Sequence, residues 1–146
     1  DGSTTTILLE NTAGQGNTLG LHFAHLRDMI AAASYPDRLG VCIDTCHAFA
    51  AGYDYTTKAG YDSVTSELIE AVTLEKVMAF HINDSKKELA SRRDRHEGIG
   101  IGLIGLEPLS FWLNDSRFTH HPATLETPEA ETRYKKELEI LRSLVK

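Results

Sequence analysis

Four short apolar runs of this sequence each end in a carboxylate or an imidazole, the side chains that most often bind metal ions. The residues at these run ends are Glu10, Asp44, His81 and Glu126. Three further candidates lie in the loops behind them, and they are His47, Asp94 and His96. Mixed carboxylate and imidazole ligands suit zinc or manganese better than calcium. Because one zinc usually takes four ligands, these side chains are enough for two ions that share a bridging carboxylate.

Each candidate also has an ordinary structural explanation when it is taken alone. An acid at a strand end usually caps the next helix. A single histidine at a strand end is usually a hydrogen-bonded structural residue, and the segment from Asp94 to His96 is compatible with an exposed loop. Metal-type ligands at four consecutive run ends are harder to explain as coincidence, so the spacing predicts a metal site.

The apolar runs are predicted β-strands, and a helical pattern follows each of them. The predicted helices carry apolar stripes at Leu19, Phe23, Leu26 and Ile30, at Val64, Leu68 and Ala71, at Leu106, Leu109 and Leu113, and at Tyr134, Leu138, Leu141 and Val145. These spacings match a period of about 3.6 residues. Before the last helix, Thr127 and Pro128 have the pattern of an N-cap followed by proline at the first helical position.

The repeated order of strand and helix predicts an α/β fold with parallel strands and right-handed crossovers. Two architectures fit this order. One is a small, open, doubly wound sheet. The other is half of a TIM-type (β/α) barrel, with about four βα units of eight, because a whole barrel needs about 250 residues. In both architectures the carboxyl ends of the strands gather on one side, where the four candidate ligands would meet.

The composition indicates a single globular domain that covers residues 1–146. The chain has 146 residues, of which 41% are hydrophobic and 25% are charged, as in ordinary globular domains. No apolar run approaches the roughly 20 residues of a membrane span, so we expect no membrane association. Cys42 and Cys46 lie four residues apart, which is typical of reduced thiols in an intracellular protein.

A basic segment interrupts this otherwise acidic chain between His81 and His96. The cations that we predict to contact nucleic acid are Lys86, Arg92, Arg93 and Arg95. The net charge of −6 argues against a generally basic nucleic-acid binder but allows such a local patch. Cations beside a metal cluster suit a phosphate-bearing substrate. The segment "GIGIGLIG" that follows lacks the ending of a phosphate-binding loop, and we interpret it as a turn before a helix.

Five blocks of the sequence together resemble the endonuclease IV family, which are zinc-dependent endonucleases that cut DNA at abasic sites. The blocks are "LLENTAGQG" at 8–16, "GVCIDTCHAFAAGYD" at 40–54, "HINDSK" at 81–86, "DRHEGIG" at 94–100 and "LETP" at 125–128. They span nearly the whole chain in the family's order. The resemblance implies a TIM barrel with three zinc ions, in a groove that accepts double-stranded DNA with a flipped-out abasic nucleotide. The implied reaction is hydrolysis of the phosphodiester 5′ to that site.

The resemblance also implies a role for each candidate ligand. Glu10 would bridge the first and second zinc ions, and Glu10 and Glu126 would be the catalytic carboxylates that position the metals and the nucleophile. The other ligands of the second zinc would be Asp44, His81 and Glu126. The third zinc would be bound by His47, Asp94 and His96. The chain would therefore hold two complete ligand sets, and Cys46 would bind no metal.

Two departures from the family pattern affect these expectations. Where the family usually has Gly-Ser before the D-R-H block, this chain has Ala90-Ser91, which would be strained if the backbone φ there is positive. The family takes two histidine ligands of the first zinc from its amino-terminal half, and no residue of this chain matches them. We therefore expect the carboxyl-terminal half of a barrel, with little or no cleavage activity alone. Its partner would be the missing amino-terminal half or another chain.

Two other functions remain open at the level of the sequence. A divalent-metal sugar isomerase or epimerase of similar barrel fold also carries acidic and histidine ligands at its strand ends, although the basic segment and the D-R-H block disfavour it. A non-catalytic remnant that binds zinc or DNA would show metal binding without turnover.

Overall fold

A computed structural model describes residues 4–146 of the chain. Its strands are β1 (Ile7–Glu10), β2 (Leu39–Asp44), β3 (Val77–His81), β4 (Asp84–Ser85), β5 (His96–Glu97) and β6 (Ala123–Thr124). Its α-helices are α1 (Phe23–Ala32), α2 (Thr45–Ala51), α3 (Lys58–Val72), α4 (Leu106–Leu113) and α5 (Ala130–Leu144). Two short 3-10 helices, Pro36–Arg38 and Leu74–Lys76, lead into β2 and β3.

Four of the strands form one parallel sheet in the order β1-β2-β3-β6. The predicted α/β class is therefore confirmed. A doubly wound sheet reverses its strand order at a switch point, whereas here the strands follow one another in chain order, as they do in a barrel. The remaining strands, β4 and β5, form a separate antiparallel pair beyond the end of β3.

The core lies between the sheet and a layer of helices. In β2 the side chains of Val41 and Ile43 on one face and of Cys42 on the other are buried, as expected for a strand that is covered on both faces. An aromatic cluster fills the space beneath the helices, with the Trp112 ring packed edge-on against Tyr61 at 5.0 Å and Tyr55 at 5.6 Å between centroids. This packing holds the strands, and hence their carboxyl ends, in a fixed register.

The longest helices described, α3 and α5, have 15 residues each. Among residues 4–146, none of the helices has the length and apolar character that crossing a membrane requires.

Two predicted helix starts are wrong. The first helix begins at Phe23 rather than near Leu19, because the residues before it form a loop that is closed by a backbone hydrogen bond from Thr12 to Gly20. The last helix begins at Ala130 rather than at Pro128. Thr127 does not cap it: the N-cap position is Glu129, and the hydroxyl of Thr127 donates to the buried carboxylate of Glu137 within the helix.

Candidate metal centre

The register of the parallel sheet brings the predicted ligands together at the carboxyl ends of the strands. Glu10 pairs with Cys42 across β1 and β2, and Asp44 pairs with His81 across β2 and β3. Glu126 follows β6 by two residues, and its backbone N–H donates to the side chain of Asn83. The side chains gather in two groups whose ligand atoms lie within 4.8 Å of one another.

The first group, which we call site A, consists of Glu10, Asp44, His81 and Glu126. The Nδ1 atom of His81 lies 3.3 Å from Oε1 of Glu10 and 3.1 Å from Oε2 of Glu126. It lies 4.0 Å from Oδ2 of Asp44. Among the described residues, Glu10 Oε1 and His81 Nδ1 are buried polar atoms without a hydrogen-bond partner. Such atoms are costly to bury unless they bind something, and a cation between them fits this donor set.

The second group, which we call site B, consists of His47, Asp94 and His96. The two Nε2 atoms lie 3.3 Å apart. The carboxylate of Asp94 places one oxygen 3.3 Å from Nε2 of His47 and the other 3.4 Å from Nε2 of His96. Ligands at about 2.0–2.1 Å on the corners of a tetrahedron lie about 3.3–3.4 Å apart. The separation of the two Nε2 atoms at site B is the edge length of a tetrahedral zinc site, and each of these nitrogens has one oxygen of Asp94 at a similar distance.

Backbone carbonyls fix which nitrogen of each histidine faces site B. Nδ1 of His47 lies 3.0 Å from the carbonyl oxygen of Asn11, and Nδ1 of His96 lies 2.9 Å from that of Glu126. Because a carbonyl only accepts, each Nδ1 must carry the proton and donate it. This leaves the Nε2 lone pairs free, which is the arrangement that metal-binding histidines usually have.

The carboxylates and imidazoles strongly perturb one another's protonation. Burial raises the pKa of Glu10, but the neighbouring imidazoles of His47 and His81 outweigh it and lower the pKa to about 2. The neighbouring thiol of Cys42 and carboxylate of Glu10 raise the pKa of His81 to about 11. Without a metal ion, a proton on His81 offsets the charge of the neighbouring carboxylates, and a bound cation would serve the same purpose.

Asp44 is the fully buried member of the cluster, and it belongs to both the sheet and the next helix. Its Oδ1 atom caps α2 by accepting from the N–H of His47 at 2.8 Å. Its Oδ2 atom accepts from Asn83 at 2.6 Å and lies 3.6 Å from Nε2 of His96. Burial raises the pKa of Asp44. The helix-cap and metal-ligand explanations are therefore compatible, because different oxygens serve the two roles.

Two buried asparagines that the sequence did not single out hold Asp44 in place. Asn11 accepts from the backbone N–H of Asp44 at 2.7 Å and donates to its carbonyl at 3.1 Å. Asn83 donates to the Asp44 carboxylate and accepts from the N–H of Glu126. Their signal in the sequence is positional, since each follows a strand-end ligand within two residues where an apolar residue would suit the burial better.

Cys46 also lies near the cluster, within reach of Asp44 and His96. Burial and the charge of Asp44 raise the pKa of its thiol to about 12. Its sulfur is 3.7 Å from the carbonyl oxygen of Arg95, to which the thiol donates. Zinc binds the thiolate rather than the thiol, so this environment supports the interpretation of Cys46 as a bystander.

The predicted basic residues all lie exposed at the rim of the cluster, and they are Lys86, Arg92, Arg93 and Arg95. Hydrogen bonds from the N–H of Ala90 to Phe49 and from the N–H of Arg92 to Ala50 tie this segment to the end of α2. The backbone at Ala90 has a φ of 60°. The condition for strain at this departure from the family pattern, a positive φ, is therefore met.

The sequence is similar to those of known TIM-barrel proteins, in which strand ends meet on one side as they do here. The family described as "Xylose isomerase-like TIM barrel" matches residues 2–144. A protein named "Probable endonuclease 4" from Citrifermentans bemidjiense is 51% identical over 95% of this chain and 50% of its own length. One of the same name from Chloroflexus aggregans is 52% identical over 99% of this chain and 51% of its own length.

Solved structures with a similar fold include an endonuclease IV. Endonuclease IV from Thermus thermophilus superposes with a TM-score of 0.84 at 38% identity, over 95% of this chain and 49% of that one. A structure titled "The crystal structure of AsfvAP:AG" has a TM-score of 0.70 at 21% identity, which shows the shared fold alone. The chain spans about half the length of the curated relatives it matches. The resemblance to the endonuclease IV family and the half-barrel architecture are confirmed.

Proposed function

The chain belongs to the xylose isomerase-like TIM barrel family, and from this premise we propose that it is the metal-binding carboxyl-terminal half of a DNA repair endonuclease. The proposed reaction is hydrolysis of the phosphodiester 5′ to an abasic site. The observation that carries the proposal is the geometry of site B, where two imidazole nitrogens lie 3.3 Å apart and each lies 3.3–3.4 Å from one oxygen of Asp94. Residues 1–146 would form one domain of that enzyme.

We propose zinc as the metal, with one ion at site A and one at site B. Two imidazoles and one carboxylate at site B match the nitrogen-rich ligand sets of zinc better than the oxygen cages of calcium or magnesium. At site A, the side chain of Glu10 is 33% exposed, so its second carboxylate oxygen is accessible to a further metal ion. The other ligands of that ion would come from outside this chain.

The exposed carboxylates define where a substrate would enter. The side chains of Glu126 and Asp94 are 47% and 51% exposed, whereas Asp44 is fully buried. Zinc, when bound, supplies a Lewis acid that polarises a phosphoryl oxygen and lowers the pKa of water. In this scheme Glu10 and Glu126 orient the attacking water at site A. Asp44, which is fully buried, holds its ligand oxygen in place and excludes water from the inner side of the site.

The exposed cations at the rim would contact the DNA backbone. Lys86 and the three arginines of the basic segment lie in the loop that leads to Asp94 and His96. Their charge offsets the phosphates next to the cluster, and an abasic nucleotide leaves the helix at low unstacking cost.

The rest of the barrel would be supplied by a further segment or another chain. This is supported by the relatives, which are twice as long, and by β1, an edge strand whose Ile7 is 57% exposed and whose Leu8 is 36% exposed. Exposed apolar edges of this kind normally pair with another strand.

The direct test is cleavage of a duplex that contains a single abasic site by the full-length protein, with an undamaged duplex as the control. We expect nicking only at the lesion, loss of nicking with a chelator, and its recovery on adding Zn²⁺. His96→Asn should abolish it, while His22→Asn, at an exposed histidine outside both sites, should leave it unchanged. Zinc binding without nicking would instead identify a non-catalytic remnant.

A metal-dependent sugar isomerase or epimerase is the second candidate, because the matching family is described as xylose isomerase-like. It predicts turnover of aldoses or ketoses with divalent metal and indifference to DNA. The same protein preparation, offered a panel of sugars and the abasic duplex, separates the two functions.

A further inference from the structure

Asp84 is a fully buried carboxylate outside both metal sites. It accepts hydrogen bonds from the backbone N–H groups of Ser85, Gly100, Gly102, Ile104 and Gly105. Oδ1 lies 2.8 Å from the nitrogen of Ser85 and 2.9 Å from that of Ile104. Oδ2 lies 3.1 Å from the nitrogens of Gly100 and Gly102. The carboxylate is thus the centre around which the glycine-rich segment folds.

This arrangement explains the glycines that gave the segment its likeness to a phosphate loop. Gly100 and Gly105 have φ values of 79° and 83°, which side-chain-bearing residues rarely adopt. A Cβ atom on Gly102 would clash with Oδ1 of Asp84. The segment is a nest of N–H groups for an anion, and the chain's own Asp84 fills it. A phosphate therefore has no place there.

The nest is joined to site B through the antiparallel pair of β4 and β5. Asp84 and Ser85 form β4, in which Ser85 pairs with His96 of β5. On the other side of β4, the N–H of Leu103 donates to the carbonyl of Ser85 at 2.8 Å. Asp84 thereby fixes both the strand that carries His96 and the loop that leaves it.

We propose that Asp84 is a positioning residue for site B. By binding the 98–105 segment it sets the place of β5, and with it the distances from His96 and Asp94 to Nε2 of His47. The inference rests on the proposed metal binding. If Asp84 has this role, removing its carboxylate should change the distances between the ligand atoms of site B without unfolding the protein.

The test compares Asp84→Asn with Asp115→Asn in the full-length protein. The amide introduced by Asp84→Asn would place an NH₂ group against N–H donors that now have an acceptor. Asp115 is a matched control, since it accepts from Tyr61 at 2.7 Å and from Arg117 at 2.9 Å far from the metal sites. We expect calorimetric titration with Zn²⁺ to show binding at site B weakened about 10–100-fold by Asp84→Asn, and unchanged by Asp115→Asn.

Nitrogen NMR of the imidazoles assigns the affected site. In Asp84→Asn, the signals of His47 and His96 should lose their response to Zn²⁺ at concentrations where His81 still responds. Gly102→Ala is a second variant, because it retains the carboxylate but pushes the loop away from it, and it should reproduce the result.

Three outcomes would overturn the proposal. They are zinc binding weakened equally by the two aspartate variants, zinc binding weakened equally at sites A and B, and loss of the protected core amides in both Asp84→Asn and Gly102→Ala. Wild-type protein that binds no Zn²⁺ would instead refute the proposed function. Wild-type binding that both Asp84→Asn and Gly102→Ala preserve would refute the role of Asp84 alone.

Discussion

Sites A and B are built from the same side-chain types but are supported in different ways. Site A is attached to neighbouring parallel strands, so the register of the sheet alone places Glu10, Asp44 and His81 together. Site B takes His47 from the first turn of α2 and His96 from β5, with Asp94 in the connecting loop. Strand pairing alone can therefore position ligands at the carboxyl ends of a sheet, whereas ligands carried by loops need additional contacts to hold the loops in place.

Asp44 joins the two sites, and removing it should have the largest effect. In Asp44→Ala, site A loses a ligand and α2, which carries His47, loses its N-cap, at a cost of about 1 kcal/mol. We expect the zinc content to fall from two ions per chain to none by elemental analysis. Asp54→Ala, at an exposed acid that bonds locally to Thr56, should keep both. If one ion remained, zinc binding at site B would not need the support that Asp44 gives to α2 and His47.

Asn83→Ala should separate the two sites. Its amide holds the carboxylate of Asp44 and the backbone of Glu126, which are both parts of site A. Loss of such a supporting group typically weakens metal binding about 10–100-fold. We expect Zn²⁺ titration to show this at site A, with site B less affected. Asn114→Ala is the matched control, since it bonds to the ends of α4 and α5.

Ala90→Gly should stabilise the segment that leads to site B. The φ of 60° at Ala90 is strained for any residue with a Cβ atom. We expect a gain of roughly 0.5–1 kcal/mol in the free energy of unfolding, measured by denaturant titration. Ala59→Gly, within helix α3, should have the opposite sign by a similar amount. A destabilised Ala90→Gly variant would show that the strain is not there.

Cys46→Ser should have the smallest effect. The thiol lies beside both sites but donates to a backbone carbonyl, and a hydroxyl can make the same bond. We expect an unchanged zinc content by elemental analysis. Loss of an ion would make Cys46 a ligand and would contradict the assignment of site B to two histidines and one aspartate.

The sequence predicted site A better than it predicted what supports site B. A carboxylate or imidazole behind an apolar run is visible in one dimension, and parallel pairing does the rest, as it does for Asp44 and His81. The role of Asp84 was not predictable in this way, because four of its five partners lie 16 to 21 residues further along the chain and all are backbone groups that no residue type reveals.

Helix boundaries failed for a similar reason. Thr127 and Pro128 have the pattern of a helix start, but the hydroxyl of Thr127 bonds to Glu137 inside the helix, and the helix begins two residues later, at Ala130. Leu19 continues the apolar stripe of α1 by spacing, yet it is 63% exposed because the loop before Phe23 closes on itself. Local patterns predict local preferences, and tertiary contacts decided both cases.

We propose that this chain carries two complete sets of zinc ligands, and zinc analysis of the purified polypeptide shows whether it does. Metal-free chain should be titrated with Zn²⁺, dialysed and analysed for zinc per polypeptide. We expect two tightly held ions, with the imidazole NMR signal of His81 changing at a different Zn²⁺ concentration from those of His47 and His96. One ion, none, or three tightly held by this chain alone would contradict it.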